Sequence, residues 1–277
     1  MPSFSSHDGT VLAHHLMGRG EPLLCLPGGP GRPSGYLGDL GGLATSRRLI
    51  LLDNRGTGDS AVPADAGTYR ADRLVADVEA LREHLALETL DLLAHSAGAD
   101  VAVLYAARHP HRIRRLVLVA PSPLAVGLEP TDEEWSAAIH RRSAEPWYEG
   151  ALAALDAWES GDEREETRLA TRPFYYSPWN EAAEAHDRSY PMVRAARTGF
   201  HGEGAFDTDA TRTTLDRLPA PVLVISGEDD LAPTADQAAA YAELFPDGRS
   251  TSVPGAHFPW VTAPKEFAET VEEFLSA

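Results

Sequence analysis

The chain has 277 residues, 43% of them apolar and 24% charged, with a formal net charge of −18 at pH 7. That length buries a substantial core, as one elaborated α/β domain or a domain carrying an insertion. The acidic excess excludes nucleic acid as a partner, because affinity for phosphates rests on Lys and Arg, and it disfavours an anionic membrane surface.

No segment is apolar for long enough to span a bilayer, and Met1 to Gly9 has neither a basic nor an apolar signal region, so a cytoplasmic location is expected. Strands are predicted over residues 3–6 and 11–17, joined through Asp8-Gly9, a turn pair suited to a hairpin and hence to an antiparallel sheet edge. Further strands are predicted over 22–26, 48–52, 90–94, 115–120, 222–226 and 250–253. Between them lie helical patterns, clearest over 71–85, where Leu74, Val75, Val78, Leu81, Arg82 and Leu85 share one face. This alternation predicts a mainly parallel sheet flanked by helices.

The alternation stops at Pro121 and resumes near Thr211. The interval is rich in acids and aromatics and offers helix patterns without a convincing strand, so a helical cap over 124–210 is expected to interrupt a core formed by 1–123 and 211–277. Its 18 Asp and Glu against 8 Arg suit either a solvated acidic surface or the steering of a cationic substrate. The aromatics suggest a small-molecule pocket between cap and sheet, with Trp147, Trp179 and Tyr175 as candidate lining residues.

The single cysteine, Cys25, sits in the apolar run Leu23-Leu24-Cys25-Leu26. It reads as a packed core thiol, and with no second cysteine there is neither a disulfide nor a multi-cysteine metal site. The sequence calls for no cofactor and no metal.

Chemistry concentrates in four segments. The apolar run 90–94 leads at once into His95-Ser96-Ala97-Gly98 and a predicted helix over 100–108, the strand, sharp turn and helix that a nucleophile elbow needs. Small neighbours suit a strained turn; a plain N-cap serine is the ordinary alternative. Leu26-Pro27-Gly28-Gly29-Pro30-Gly31 follows another strand, and since neither proline can donate, the N–H of Gly29 pairs with that of Ala97 as the expected oxyanion donors. Strand 222–226 runs into Gly227-Glu228-Asp229-Asp230, and the last strand into Pro254-Gly255-Ala256-His257. A serine needs a base, and a histidine held by a carboxylate supplies it. Ser96, His257 and Asp230 are the expected set, with Asp229 as rival carboxylate and Glu228 behind it. His95 is expected as a structural neighbour; His14 and His15 lie on the hairpin and His109 and His111 at a helix end.

With these segments the chain resembles the α/β-hydrolase superfamily over essentially its full length, and within it the proline iminopeptidase-like branch. The markers are Gly28-Gly29-Pro30-Gly31, Asp53-Asn54-Arg55-Gly56-Thr57-Gly58-Asp59-Ser60, the elbow, Asp230 and His257. The resemblance implies the α/β-hydrolase fold with a cap, a Ser-His-Asp hydrolase, and a structural role for Asp53 and Arg55. Pro27 stands where a histidine usually precedes the glycines, Ala94 replaces the first elbow glycine, and Ala97 replaces the tryptophan that usually follows the serine in those peptidases. Their amine-binding Glu-Asn-His-Tyr-Phe segment is missing, and Glu166 and Glu203 read as surface carboxylates rather than substitutes. The expected function is therefore hydrolysis of a small-molecule ester, lactone or amide through an acyl-enzyme. N-terminal proline peptidase, carbon-carbon bond hydrolase or biosynthetic cyclase chemistry on the same triad is the alternative, and a non-catalytic binding protein the rival class.

Overall fold

The computed structural model of the chain describes residues 2–162 and 164–277. Among these residues eight strands appear at or near the predicted positions: β1 (Ser3–Ser5), β2 (Val11–Gly18), β3 (Glu21–Leu26), β4 (Arg47–Leu52), β5 (Leu90–His95), β6 (Ile113–Val119), β7 (Val222–Gly227) and β8 (Gly248–Val253). They form one sheet in the order β1-β2-β4-β3-β5-β6-β7-β8. The expected antiparallel edge is β1 with β2, and β2 also runs antiparallel to β4; every later pairing is parallel.

Parallel strands must be buried on both faces, which is why they read as continuous rather than alternating apolar runs. Leu24, Leu26, Ile50, Leu92, Leu116 and Val224 face one layer, with helices α1 (Ala71–His84), α2 (Ala97–Arg108), α8 (Thr208–Leu215) and α9 (Ala235–Ala242) over them. Leu23, Cys25, Leu51, Leu93, Val117 and Ile225 face the other, under α10 (Pro259–Thr262) and α11 (Pro264–Ser276). Cys25 is fully buried here, and burial pushes its thiol well above the usual range.

Between β6 and α8 lie α3 (Asp132–His140), α4 (Tyr148–Glu159), α5 (Glu165–Ala170), α6 (Glu181–Arg188) and α7 (Arg194–Phe200), with no strand among the described residues. A separate apolar cluster holds α3 to α4, with Ile139, Tyr148 and Leu155 around Phe174. Among the described residues no helix is long and apolar enough to cross a membrane.

The segment carrying Asp53 and Arg55 is an internal brace. Asp53, 1% exposed, accepts from the Ser34 N–H (2.8 Å) and hydroxyl (2.7 Å), the Asp59 N–H (3.0 Å) and His15 Nε2 (2.8 Å). Arg55 joins buried Asp77 to Asp8 of the β1–β2 turn, at 2.5 and 2.7 Å.

In α2, fully buried Asp100 accepts the Ala125 N–H (2.9 Å), while its second oxygen has no partner among the described residues. Burial pushes this carboxyl up to about 7. The unfolded chain therefore releases its proton near pH 4 while the folded chain keeps it, so folding loses stability as pH rises from about 4 to about 7. Asp100→Asn should remove that loss: the unfolding free energy of the wild type relative to the variant, from urea titrations, should fall over this window with a slope of roughly one proton and be flat above and below it.

Candidate active site

Ser96 follows the last residue of β5 and precedes the first of α2, with φ 52° and ψ −124°. An L-residue rarely adopts this conformation, which costs on the order of 1–3 kcal/mol unless its surroundings impose it. Here they do. The Ser96 N–H donates to the Val119 carbonyl (2.9 Å), and the Ser96 carbonyl accepts from Ala99 (2.8 Å) and Ser122 (3.1 Å). A Cβ on Gly98 would lie 2.7 Å from the Leu26 and Pro27 carbonyl oxygens, and one on Gly28 2.5 Å from the His95 carbonyl oxygen. Two glycines thus let the β3 loop press against the turn, and the Ser96 hydroxyl projects beyond the sheet edge. The helix starts at Ala97, three residues before the predicted start, because the small residues after the serine are weak helix signals that this packing overrides.

The loop after β7 and the loop after β8 reach the same edge. His257 Nε2 lies 2.9 Å from Ser96 Oγ, and His257 Nδ1 lies 3.1 and 3.3 Å from the two oxygens of Asp230. A carboxylate only accepts, so Nδ1 carries the proton and Nε2 is left to accept from the serine. Asp230 is 1% exposed. The rival carboxylates lie elsewhere: Asp229 accepts the Ser177 hydroxyl at 2.6 Å, and Glu228 is exposed. The His257 N–H donates to the Tyr175 carbonyl at 3.1 Å, fixing the base from the opposite side.

His95 has a different task. Its Nε2 lies 2.8 Å from the His257 carbonyl, so Nε2 carries the proton and Nδ1 accepts from the Tyr36 hydroxyl at 2.7 Å. The Tyr36 oxygen in turn accepts the Gly28 N–H at 2.7 Å. Burial and the neighbouring His257 hold His95 well below its usual range, so it stays neutral and the relay keeps this direction. One chain of hydrogen bonds therefore ties the glycine loop to the backbone of His257. It also occupies the Gly28 N–H, whereas no hydrogen bond among the described residues engages the N–H of Gly29 or Ala97.

Ser96, His257, His95 and Gly29 border a cavity of about 510 Å³. Its other walls come from α4 to α7: Trp158, Arg168, Arg172, Tyr190, Met192 and Arg197. Of the aromatics expected to line it, only Tyr175 does, with its ring 5.6 Å from that of His257. Trp147 and Trp179 do not. Trp147 packs against Phe174 and Arg142 inside the α3–α4 cluster, and Trp179 against Tyr176, so both serve local packing. Glu166 and Glu203 are exposed and away from the cavity. The lining residues not singled out from the sequence are Trp158, Tyr190, Met192 and the arginines; Trp158 and Tyr190 belong to the aromatics that suggested a pocket, and nothing in the sequence marked which of those rings, or which arginines, face it.

The family model described as the alpha/beta hydrolase fold matches residues 21–264, and the chain belongs to that family. It is similar to the proline iminopeptidase of Lactobacillus helveticus, with 29% identity over 76% of this chain and 74% of that one. It is also similar to the 2-hydroxymuconate semialdehyde hydrolase of Pseudomonas putida, with 30% identity over 95% of this chain and 89% of that one. Among solved structures, proline iminopeptidase from Mycobacterium smegmatis superposes with a TM-score of 0.75 and 25% identity, covering 99% of this chain and 97% of that one. The chain is a hydrolase of this family.

The relay through Tyr36 is directly testable. Tyr36→Phe leaves the Gly28 N–H and His95 Nδ1 buried and unpaired, and should destabilise the fold by about 1–3 kcal/mol in urea denaturation. An unchanged midpoint would show that the relay holds nothing in place.

Proposed function

We propose that this hydrolase works through an acyl-enzyme on Ser96 and cleaves a small-molecule ester, lactone or amide. The observation that carries the reading is the line of hydrogen bonds from Asp230 through His257 to a serine held in a strained turn. His257 takes the Ser96 proton as Oγ attacks the substrate carbonyl, then gives that proton to the departing alcohol or amine. Water next attacks the acyl group, losing a proton to His257. The acid leaves, and the proton returns to Ser96. Asp230 keeps the imidazole in the required tautomer and stabilises its charged form. The N–H groups of Gly29 and Ala97 hold the oxyanion. Helices α3 to α7 act as a cap over the cavity, and no metal or cofactor takes part in these steps.

Ester, lactone or amide hydrolysis is favoured over removal of an N-terminal residue by what surrounds the pocket. Binding a free amino group needs carboxylates facing it. Asp187 is the one carboxylate bordering the cavity among the described residues, and it is paired with Arg172 at 2.5 Å.

Ser96→Ala should lower kcat by roughly a thousandfold or more on any substrate turned over by the wild type. A fluorophosphonate probe should label Ser96 in the folded wild type. Full turnover by Ser96→Ala, or folded protein that takes no label, would refute the mechanism.

A further inference from the structure

The chain carries a formal charge of −18, yet its cavity is lined by four arginines, Arg32, Arg168, Arg172 and Arg197, against one carboxylate, Asp187. Asp187 is taken by Arg172 at 2.5 Å. Arg32 is buried, and its guanidinium donates to the carbonyls of Tyr190, His186 and Ser189 at 3.0–3.1 Å and lies 4.4 Å over the Tyr36 ring, with no ion pair to a carboxylate among the described residues. Arg168 pairs with Glu165, which is 69% exposed. The Arg197 guanidinium lies 5.8 Å from the centre of the Trp158 ring and makes no ion pair or hydrogen bond among the described residues.

These charges are not spread evenly. A second cavity, of about 310 Å³, shares Trp158, Arg168, Met192 and Arg197 with the first and adds Arg194 and Glu165, the carboxylate already paired with Arg168. Ser96, His257 and Gly29 border the first cavity alone. Arg32 and Arg172 also border the first cavity alone, whereas Arg168 and Arg197 border both and so mark the side of the space that continues away from Ser96. Of the acids in residues 124–210, Asp187 and Glu165 border these cavities and both are held in ion pairs, while Glu166 is 73% exposed against Arg164 and Glu159 is exposed and accepts from the Trp135 indole. A cationic substrate would meet this excess of guanidinium groups over carboxylates, while a carboxylate would be paired by them in a partly water-excluded site.

Resting on the acyl-enzyme reading above, we propose that the substrate is an anion: an ester, lactone or amide that carries a carboxylate at the end remote from the reacting carbonyl, held by Arg197 and Arg168 beside Trp158. Hydrolysis on the acyl side of such a substrate releases a dicarboxylate.

Three 4-nitrophenyl esters of matched length test this: the hydrogen adipate, the hexanoate and the 6-(trimethylammonio)hexanoate. The wild type should show kcat/KM for the adipate about tenfold or more above the hexanoate, with the ammonium ester lowest. The adipate-to-hexanoate ratio should fall about tenfold in the Arg168→Gln, Arg197→Gln double variant and survive largely in Arg197→Lys. Independently of any variant or turnover, adipate dianion should slow fluorophosphonate labelling of Ser96 in the wild type at concentrations where hexanamide does not. A labelled Ser96 with a ratio at or below one, a ratio the double variant leaves intact, or equal protection by adipate and hexanamide overturns the anion assignment alone. Failure of Ser96 to take the label overturns the acyl-enzyme reading beneath it.

Discussion

The turn at Ser96 is held in a backbone conformation that its side chain disfavours, and the site depends on the contact that enforces it. Gly28 and Gly98 let the β3 loop and the start of α2 approach within distances that no Cβ would allow. The strain is balanced by the packing of three strands whose apolar runs place β3, β5 and β6 side by side. Through that contact the hydroxyl clears the sheet edge and the glycine loop borders the same cavity, with no hydrogen bond among the described residues to the N–H of Gly29 or Ala97. The same contact feeds the relay through Tyr36 and His95, so Ser96, the glycine loop and His257 are mechanically one unit.

Around this unit the fold divides labour. The brace at Asp53 and Arg55 fixes the loop after β4 and the hairpin edge, while His186 ties α6 to the sheet domain through the Tyr36 carbonyl at 2.8 Å. Burial holds His186 down to about 4, so it stays neutral at ordinary pH and that tether does not switch. Much of the cavity wall comes instead from the helical segment between β6 and α8, of which α3 and α4 pack through an apolar cluster of their own. In the proposed reading the chemistry belongs to the sheet edge and the selectivity to those helices.

The central strands were legible because parallel strands buried on both faces leave unbroken apolar runs; the edge strand β8, Gly-Arg-Ser-Thr-Ser-Val, is the exception. The loops after β5, β7 and β8 could be singled out from their chain order and residue types, and the structure brings Ser96, Asp230 and His257 within hydrogen-bond distance in a line. Asp230 over Asp229 could not be settled that way, since neighbouring carboxylates in a loop differ only in where the backbone turns them; the Ser177 hydroxyl takes Asp229. The pocket walls were less legible still. Trp147 and Trp179 look like Trp158 in sequence, and only the packing of Phe174 and Tyr176 separates buried ring from lining ring. The arginines were hidden by arithmetic: a strongly negative segment total says nothing about which sign faces inward.

In the proposed mechanism Ser96 carries the acyl group between the two half-reactions. Rapid mixing of the wild-type protein with 4-nitrophenyl acetate, acid quench within the first turnover and peptide mass spectrometry tests it most directly. The account predicts an acetyl group on Ser96 that accumulates with the nitrophenol released and is absent from His257. Release of nitrophenol with the acetyl group on another residue, or with none on the protein at any quench time, would contradict it.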